Sequence, residues 1–232
     1  MKINRLSLDS GAKQARGIAI IIDVFRAFTC EPLMYHLGAR EIIVESDVEK
    51  CRTIDPDGIL AGEIDGIDIE GFDLGNSPTR IVERGRDYFI GRRVIHRSTS
   101  GVTGTLAAMA HADEVLVGSY INAAATCAYI RDKSPDVVSI VAMGVVPDKI
   151  TTPEDEFCGD YMEYLLTGTP YDHVSALGTI LSDESAQKFL RGDKPWYPRE
   201  DTVYCLQRDS LDCVLRATDE NGLVIVRKVE EI

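Results

Sequence analysis

Short apolar runs alternate with longer amphipathic stretches along most of this chain. Runs rich in β-branched residues cover residues 17–24, 41–45, 58–62, 92–96, 114–117 and 137–142. Helical periodicity follows several of them, over residues 26–37, 78–86, 103–111, 121–132 and 156–166. Strands that alternate with helices predict an α/β fold with a largely parallel sheet covered on both faces. The run 17–24 has no polar alternation, as expected of a strand buried on both sides. Near the C-terminus, residues 211–217 and 223–229 flank Asp219-Glu220-Asn221-Gly222. That pattern predicts an antiparallel hairpin with an Asn-Gly turn, so the sheet is mixed. Residues 172–198 read as helix and loop, with Ser182-Asp183-Glu184 as a helix start.

Composition narrows the function classes. A chain of 232 residues, 44% of them hydrophobic, suffices for a single domain over residues 1–232. No apolar run approaches the roughly 20 residues of a membrane span, and no secretory signal is visible at the N-terminus. Six dispersed cysteines never form Cys-x-x-Cys, which predicts reduced thiols in a cytoplasmic protein rather than a disulfide frame or zinc cage. A homo-oligomer stays open, because the sequence is silent on oligomeric state. The net charge of −13 argues against nucleic acid. For an anionic ligand, local basic groups or a divalent cation must reverse that field.

The polar residues that follow the apolar runs carry the candidate chemistry. They are Asp23 and Arg26, then Glu63, then Arg97-Ser98-Thr99-Ser100-Gly101. Gly118-Ser119-Tyr120-Ile121-Asn122 follows, and then Gly144 leading to Thr152-Pro153-Glu154-Asp155-Glu156. Parallel strands would place all five clusters on one rim, where open α/β sheets bind ligands. The segment after Arg97 suits an anion cradle at a helix start, and equally suits ordinary capping. Asp23 with Arg26 suits a site, or a local ion pair. Ser77-Pro78 reads as a cap, which leaves Asn76 as the ligand contact of that pair. Acids at 154–156 favour a helix dipole on their own account. If a metal is held, an oxygen-rich, histidine-free set selects Mg²⁺ over zinc.

With those residues in view, the chain resembles the 2-phosphosulfolactate phosphatase family, named for a step in coenzyme M biosynthesis. The resemblance lies in Ile22-Asp23-Val24-Phe25-Arg26-Ala27, Gly62-Glu63 and Ile69-Glu70-Gly71-Phe72-Asp73-Leu74-Gly75-Asn76-Ser77-Pro78. It continues in Arg97-Ser98-Thr99-Ser100-Gly101, Gly118-Ser119 with Asn122-Ala123, and Glu154-Asp155 with Cys158. It implies an α/β/α sandwich around a mixed sheet and Mg²⁺-dependent removal of phosphate from (2R)-2-phospho-3-sulfolactate. The family's loop after the arginine reads Thr-Thr-Asn-Gly-Thr, whereas Ser98-Thr99-Ser100-Gly101-Val102 stands here, which removes donors from the expected cradle.

On this reading Asp23, Glu63 and Asp155, with Glu154 as a further candidate, hold Mg²⁺. Arg26 and Arg97 clamp the anionic groups, and Asn76 and Ser100 donate hydrogen bonds. Ser77, Ser98, Thr99, Ser119 and Asn122 complete the expected substrate contacts. The attacking group is a water activated by the cation or Asp23 itself. Water is preferred, because Phe25 stands where haloacid-dehalogenase-like phosphatases carry a second aspartate. The alternative function is a non-catalytic protein that binds a small dianion on the same fold.

Overall fold

The structure, a computed structural model, describes residues 1–147, 149–192 and 194–230. Among the described residues ten strands form one sheet: β1 (Lys2–Ser7), β2 (Ile18–Ile22), β3 (Glu41–Val44), β4 (Ile59–Ile64), β5 (Ile67–Asp68), β6 (Arg93–Arg97), β7 (Glu114–Gly118), β8 (Val137–Ala142), β9 (Leu215–Glu220) and β10 (Leu223–Lys228). Their spatial order is β1-β8-β2-β7-β9-β10-β3-β6-β4-β5. The expected run at 17–24 becomes β2, which pairs in parallel with β7 and β8 and is buried along its whole length. Strand β1 went unpredicted because its Lys-Ile-Asn-Arg-Leu-Ser sequence has the mixed polarity of a sheet edge, where it pairs in parallel with β8 alone.

The C-terminal hairpin does more than decorate the sheet. Strand β9 runs antiparallel to β7, β10 antiparallel to β9, and β3 antiparallel to β10. Three reversals mean that β3, β6 and β4, parallel among themselves, run opposite to β1, β8, β2 and β7. The expectation of one common rim of parallel strand ends is therefore corrected. Two parallel groups of opposite direction are joined by a hairpin. The turn residues Asn221 and Gly222 both lie in the left-handed region, at φ 57° and 83°, as a two-residue type I′ connection requires.

Helices cover both faces. Alternate residues of β2 enter different cores: Ala19 and Ile21 pack with Phe28, Met34, Val102 and Ala108 on one face. On the other, Ile18, Ile20 and Ile22 pack with Cys127, Ile130, Met162 and Cys205. The three-layer arrangement follows from this period-two division. Beyond β9 the second face is covered by the helix Val48–Ile54, which packs on β6, and carries an ion cluster beside it. There Glu41 accepts hydrogen bonds from Arg93 Nε and Arg227 Nη2, both at 2.6 Å, and Arg93 also reaches Asp55 at 3.0 Å. All six cysteines are buried and free. Among the described residues, no helix is long and apolar enough to cross a membrane.

Candidate active site

A helix that crosses from one half of the sheet to the other assembles the site. After β6, residues 98–100 turn into the helix Gly101–Met109, which packs on β2 and β7 rather than returning along its own strand. Sheet twist makes the crossing short. Five inter-strand steps of roughly 20–25° separate β2 from β6, so their opposed directions are turned well away from a straight line. The helix start then meets Asp23, one residue beyond β2. Asp23 Oδ2 accepts the Gly101 N–H at 2.8 Å, and Oδ1 accepts the Ala27 N–H at 3.2 Å. The expected anion cradle is thus largely filled by the chain's own carboxylate, and the Val102 N–H goes to Ser98 Oγ. Gly101 is required by this approach, since a Cβ there would lie 2.8 Å from Asp23 Oδ2.

Two further carboxylates hold neighbouring loops the same way. Glu63, near the end of β4, accepts from the Thr99 N–H at 2.6 Å and the Gly66 N–H at 2.5 Å. Asp155 lies in the first turn of the helix Pro153–Thr167 and joins the ends of β2 and β8. It accepts from the Val24 N–H at 2.8 Å and the Gly144 N–H at 2.7 Å. Glu154 beside it accepts from Ser185 Oγ at 2.6 Å. These four side chains border one cavity of about 390 Å³. The structure thus brings the four acids named from the sequence around one space.

Of the other expected contacts, Arg26, Asn76, Thr99 and Ser100 also line the cavity. Arg26 is committed to a buried ion pair with Asp201 at 2.9 Å and to the Trp196 carbonyl at 2.7 Å. Asn76 Oδ1 is 2.7 Å from His96 Nε2, and His96 Nδ1 is 2.7 Å from Glu31. Arg97, Ser77, Ser98, Ser119 and Asn122 are not among the lining residues. Arg97 donates to the Glu63 carbonyl, to Thr99 Oγ1 and to the Ser46 carbonyl, bracing the Glu63 loop. Ser77 donates to Asp201 and caps the helix Pro78–Arg84. Ser119 and Asn122 form a reciprocal cap. Val102, counted above as a lost donor, is fully buried in the core, so a hydroxyl at that position would not reach the cavity.

Sequence reasoning missed Lys188, Phe189, Ser185 and Tyr197 in the cavity wall, and Asp201 behind it. Lys188 and Phe189 come from the helix Glu184–Arg191, which is capped by Asp183. Nothing in the local sequence distinguishes Lys188 from an ordinary surface lysine. Only the fold brings it inside.

The electrostatics follow from burial. Asp155, Glu154, Asp23 and Glu63 are 3–7% exposed. Desolvation, then the charge of Glu63, raises Asp23 to about 6 against the backbone bonds that lower it. Desolvation and the charges of Glu154 and Asp23 raise Asp155 well above the carboxylate range. Desolvation likewise raises Glu154. Burial pulls the Lys188 ammonium down, opposed by Glu154. Five acids (Asp23, Glu63, Asp65, Glu154, Asp155) and two bases (Arg26, Lys188) line the cavity. An all-oxygen donor set of this kind fits a hard divalent cation. Among the described residues no three His, Cys, Asp or Glu side chains converge as a ready-made cage. Magnesium does not need one, because it keeps several waters and takes one or two carboxylates plus substrate phosphate.

Known proteins are similar to this chain over most of its length. A probable 2-phosphosulfolactate phosphatase of Bacillus subtilis is 28% identical over 216 residues, covering 91% of this chain and 92% of the relative. Similarly named proteins of Caldanaerobacter subterraneus and Deinococcus radiodurans are 30% and 32% identical. The first alignment covers 88% of both chains, and the second 73% of this chain and 67% of the relative. The family model described as 2-phosphosulpholactate phosphatase matches residues 7–220, a span that contains every carboxylate of the cavity. On that match, the chain belongs to the 2-phosphosulpholactate phosphatase family.

Proposed function

We propose that this protein is a Mg²⁺-dependent phosphatase that hydrolyses 2-phospho-3-sulfolactate or a closely related phosphorylated hydroxy acid. One observation carries the reading: a single cavity holds a rim of buried carboxylates at three strand ends together with the cations Arg26 and Lys188. A phosphate ester that also bears other acidic groups needs both, a cation for the phosphoryl oxygens and basic side chains for the rest. Asp23, Glu63, Glu154 and Asp155 would hold Mg²⁺, one or two directly and the others through water. When bound, Mg²⁺ supplies charge neutralisation for the transferring phosphoryl group.

The chain's own residues supply position and exclusion of bulk water. Phosphate-monoester hydrolysis is among the slowest uncatalysed reactions, and acid–base help of about 10²–10⁴-fold accounts for only part of its acceleration. Preorganised charge and hydrogen-bond donors carry the rest. Arg26, fixed by Asp201, keeps its guanidinium at the cavity wall. Ser100 and Asn76 line the same wall, whereas the Thr99 hydroxyl is taken up by Glu63, Asp65 and Arg97. Water oxygen bonds to phosphorus, the phosphorus–oxygen ester bond breaks, and the leaving hydroxy-acid oxygen takes up a proton. The products are the free hydroxy acid and inorganic phosphate. Asp23 holds both of its oxygens against backbone N–H groups, a role that suits anchoring better than attack.

Phosphate release from 2-phospho-3-sulfolactate and a panel of phosphorylated hydroxy acids, with and without Mg²⁺, tests the proposal. Mg²⁺-dependent release with preference for phosphosulfolactate is expected. No release from any ester would leave a small-anion binding protein. In a single turnover in H₂¹⁸O, label is expected in the released phosphate and not in the Asp23 carboxylate.

A further inference from the structure

The cations near the cavity are not equally committed. Arg26 is neutralised by Asp201 with both side chains almost fully buried, and it also serves the Trp196 carbonyl. Arg97 is spent on the Glu63 and Ser46 carbonyls and on Thr99. Lys188 differs. It lines the cavity, yet among the described residues its ammonium has no carboxylate within 4 Å and makes no hydrogen bond. Two aromatic rings lie beside it, with Nζ 5.2 Å from the Phe189 ring centre and 5.4 Å from that of Tyr197. Arg26 lies over the same two rings, at 5.2 and 5.5 Å. Two cations thus share one aromatic platform, which holds them in place by ring attraction without using up their hydrogen-bond donors. An ammonium half-buried in a cavity has three donors to satisfy, and a ligand oxygen is the partner that fits.

We propose that Lys188 is a specificity-determining residue that binds an acidic group of the substrate other than the phosphate, a sulfonate or carboxylate. The inference rests on the phosphatase reading for the identity of that substrate. The acid-rich rim at Asp23, Glu63 and Asp155 takes the phosphoryl end with its cation. The platform of Phe189 and Tyr197 takes the second acid, with Lys188 as the uncommitted charge and Arg26 as the fixed one.

Steady-state kinetics of Lys188→Met with two substrates tests this: 2-phospho-3-sulfolactate, and phenyl phosphate, which carries no second acid. A lost charge-assisted hydrogen bond should raise KM for phosphosulfolactate roughly 10- to 100-fold with kcat little changed. KM for phenyl phosphate should stay within about twofold, and Lys188→Arg should recover part of the loss. Equal losses on both substrates, a loss confined to kcat, or wild-type kinetics would overturn the proposal. A drop in thermal stability matching the loss of activity on both substrates would make Lys188 a structural counter-ion to Glu154. Calorimetric binding of 3-sulfolactate and of inorganic phosphate reads the same residue without turnover. Lys188→Met should weaken the first and spare the second. Wild-type protein that binds no sulfolactate overturns the inference. Wild-type protein that binds it but releases no phosphate overturns only the phosphatase reading.

Discussion

At Gly101 the backbone comes so close to the Asp23 carboxylate that a single methyl group should separate them. An alanine Cβ would sit 2.8 Å from Asp23 Oδ2 and 3.0 Å from the Phe28 ring, distances at which something must shift. Gly101→Ala is therefore expected to displace the carboxylate and cut kcat at least about tenfold, because misplacement of about 1 Å can cost 10²-fold. Its melting temperature should fall by only a few degrees, and unchanged kcat would show that Asp23 need not hold this position. Arg97 leads to the opposite kind of result. Its guanidinium braces the Glu63 loop from outside the cavity. Arg97→Ala should thus cost about 1–2 kcal/mol of stability, measured by denaturant unfolding, with activity falling because Glu63 is no longer held. Turnover lost at full stability would restore Arg97 as a direct anion ligand. The contrast marks what was legible. Asp23 and Glu63 could be picked out because each directly follows a buried apolar run, and Asp155 because its acid cluster opens the next helix after the run at 137–142. Arg97, Ser119 and Asn122 showed the same signal, but a polar residue at a strand end serves a loop or a ligand equally well, and only coordinates separate the two. Lys188 and Asp201 gave no signal, because they lie in short helices far from any strand in the sequence.

Among the elements, most strands and their helices were predictable from periodicity, because β2, β7 and β8 are buried over most of their length and each carries at most one polar residue. The mostly parallel pairing and the antiparallel hairpin were predictable, whereas the opposed direction of the two parallel groups was not. The hairpin at Asn221-Gly222 was visible, but its insertion between β7 and β3 is a long-range choice. That insertion reverses half the sheet and brings Glu41, Arg93 and Arg227 of three adjacent strands together as an ion cluster. There, burial works to raise the Glu41 carboxyl, and hydrogen bonds from Arg227 and Arg93 outweigh it, so the group sits below its ordinary value of 4.5. A depressed folded value means that the stabilisation is present above pH 4.5 and is lost as pH falls through the folded value. Glu41→Gln should accordingly be less stable than wild type at pH 7 by about 1–3 kcal/mol. The gap should close as the pH drops below about 4.5, as followed by thermal melts across pH. A gap that persists into acid would assign the effect to side-chain shape rather than charge.

For the molecule as a whole, the net charge of −13 and a cavity with five acids against two bases work against any free anion. Coulomb repulsion between a multiply charged ester and several ionised carboxylates a few ångströms away amounts to several kcal/mol at an effective dielectric near 20. The two bases offset only part of that, and Arg26 is already neutralised by Asp201. A divalent cation removes the conflict twice over. It discharges the carboxylates whose burial pushes Asp23, Glu154 and Asp155 toward protonation, and it gives the phosphate a positive partner. The order of binding follows. Mg²⁺ alone should raise the melting temperature, since at 100 times its dissociation constant it contributes about 2.7 kcal/mol, worth roughly 5–11 °C for a chain of this size. Phosphate added to chelator-treated protein should leave the melting temperature where it was, and should raise it further once Mg²⁺ is present. Activity should disappear with excess chelator and return with Mg²⁺. Full turnover in chelator, or phosphate binding that is indifferent to Mg²⁺, would mean that Lys188 and Arg26 overcome the acidic rim unaided, and the four carboxylates would then be loop anchors and nothing more.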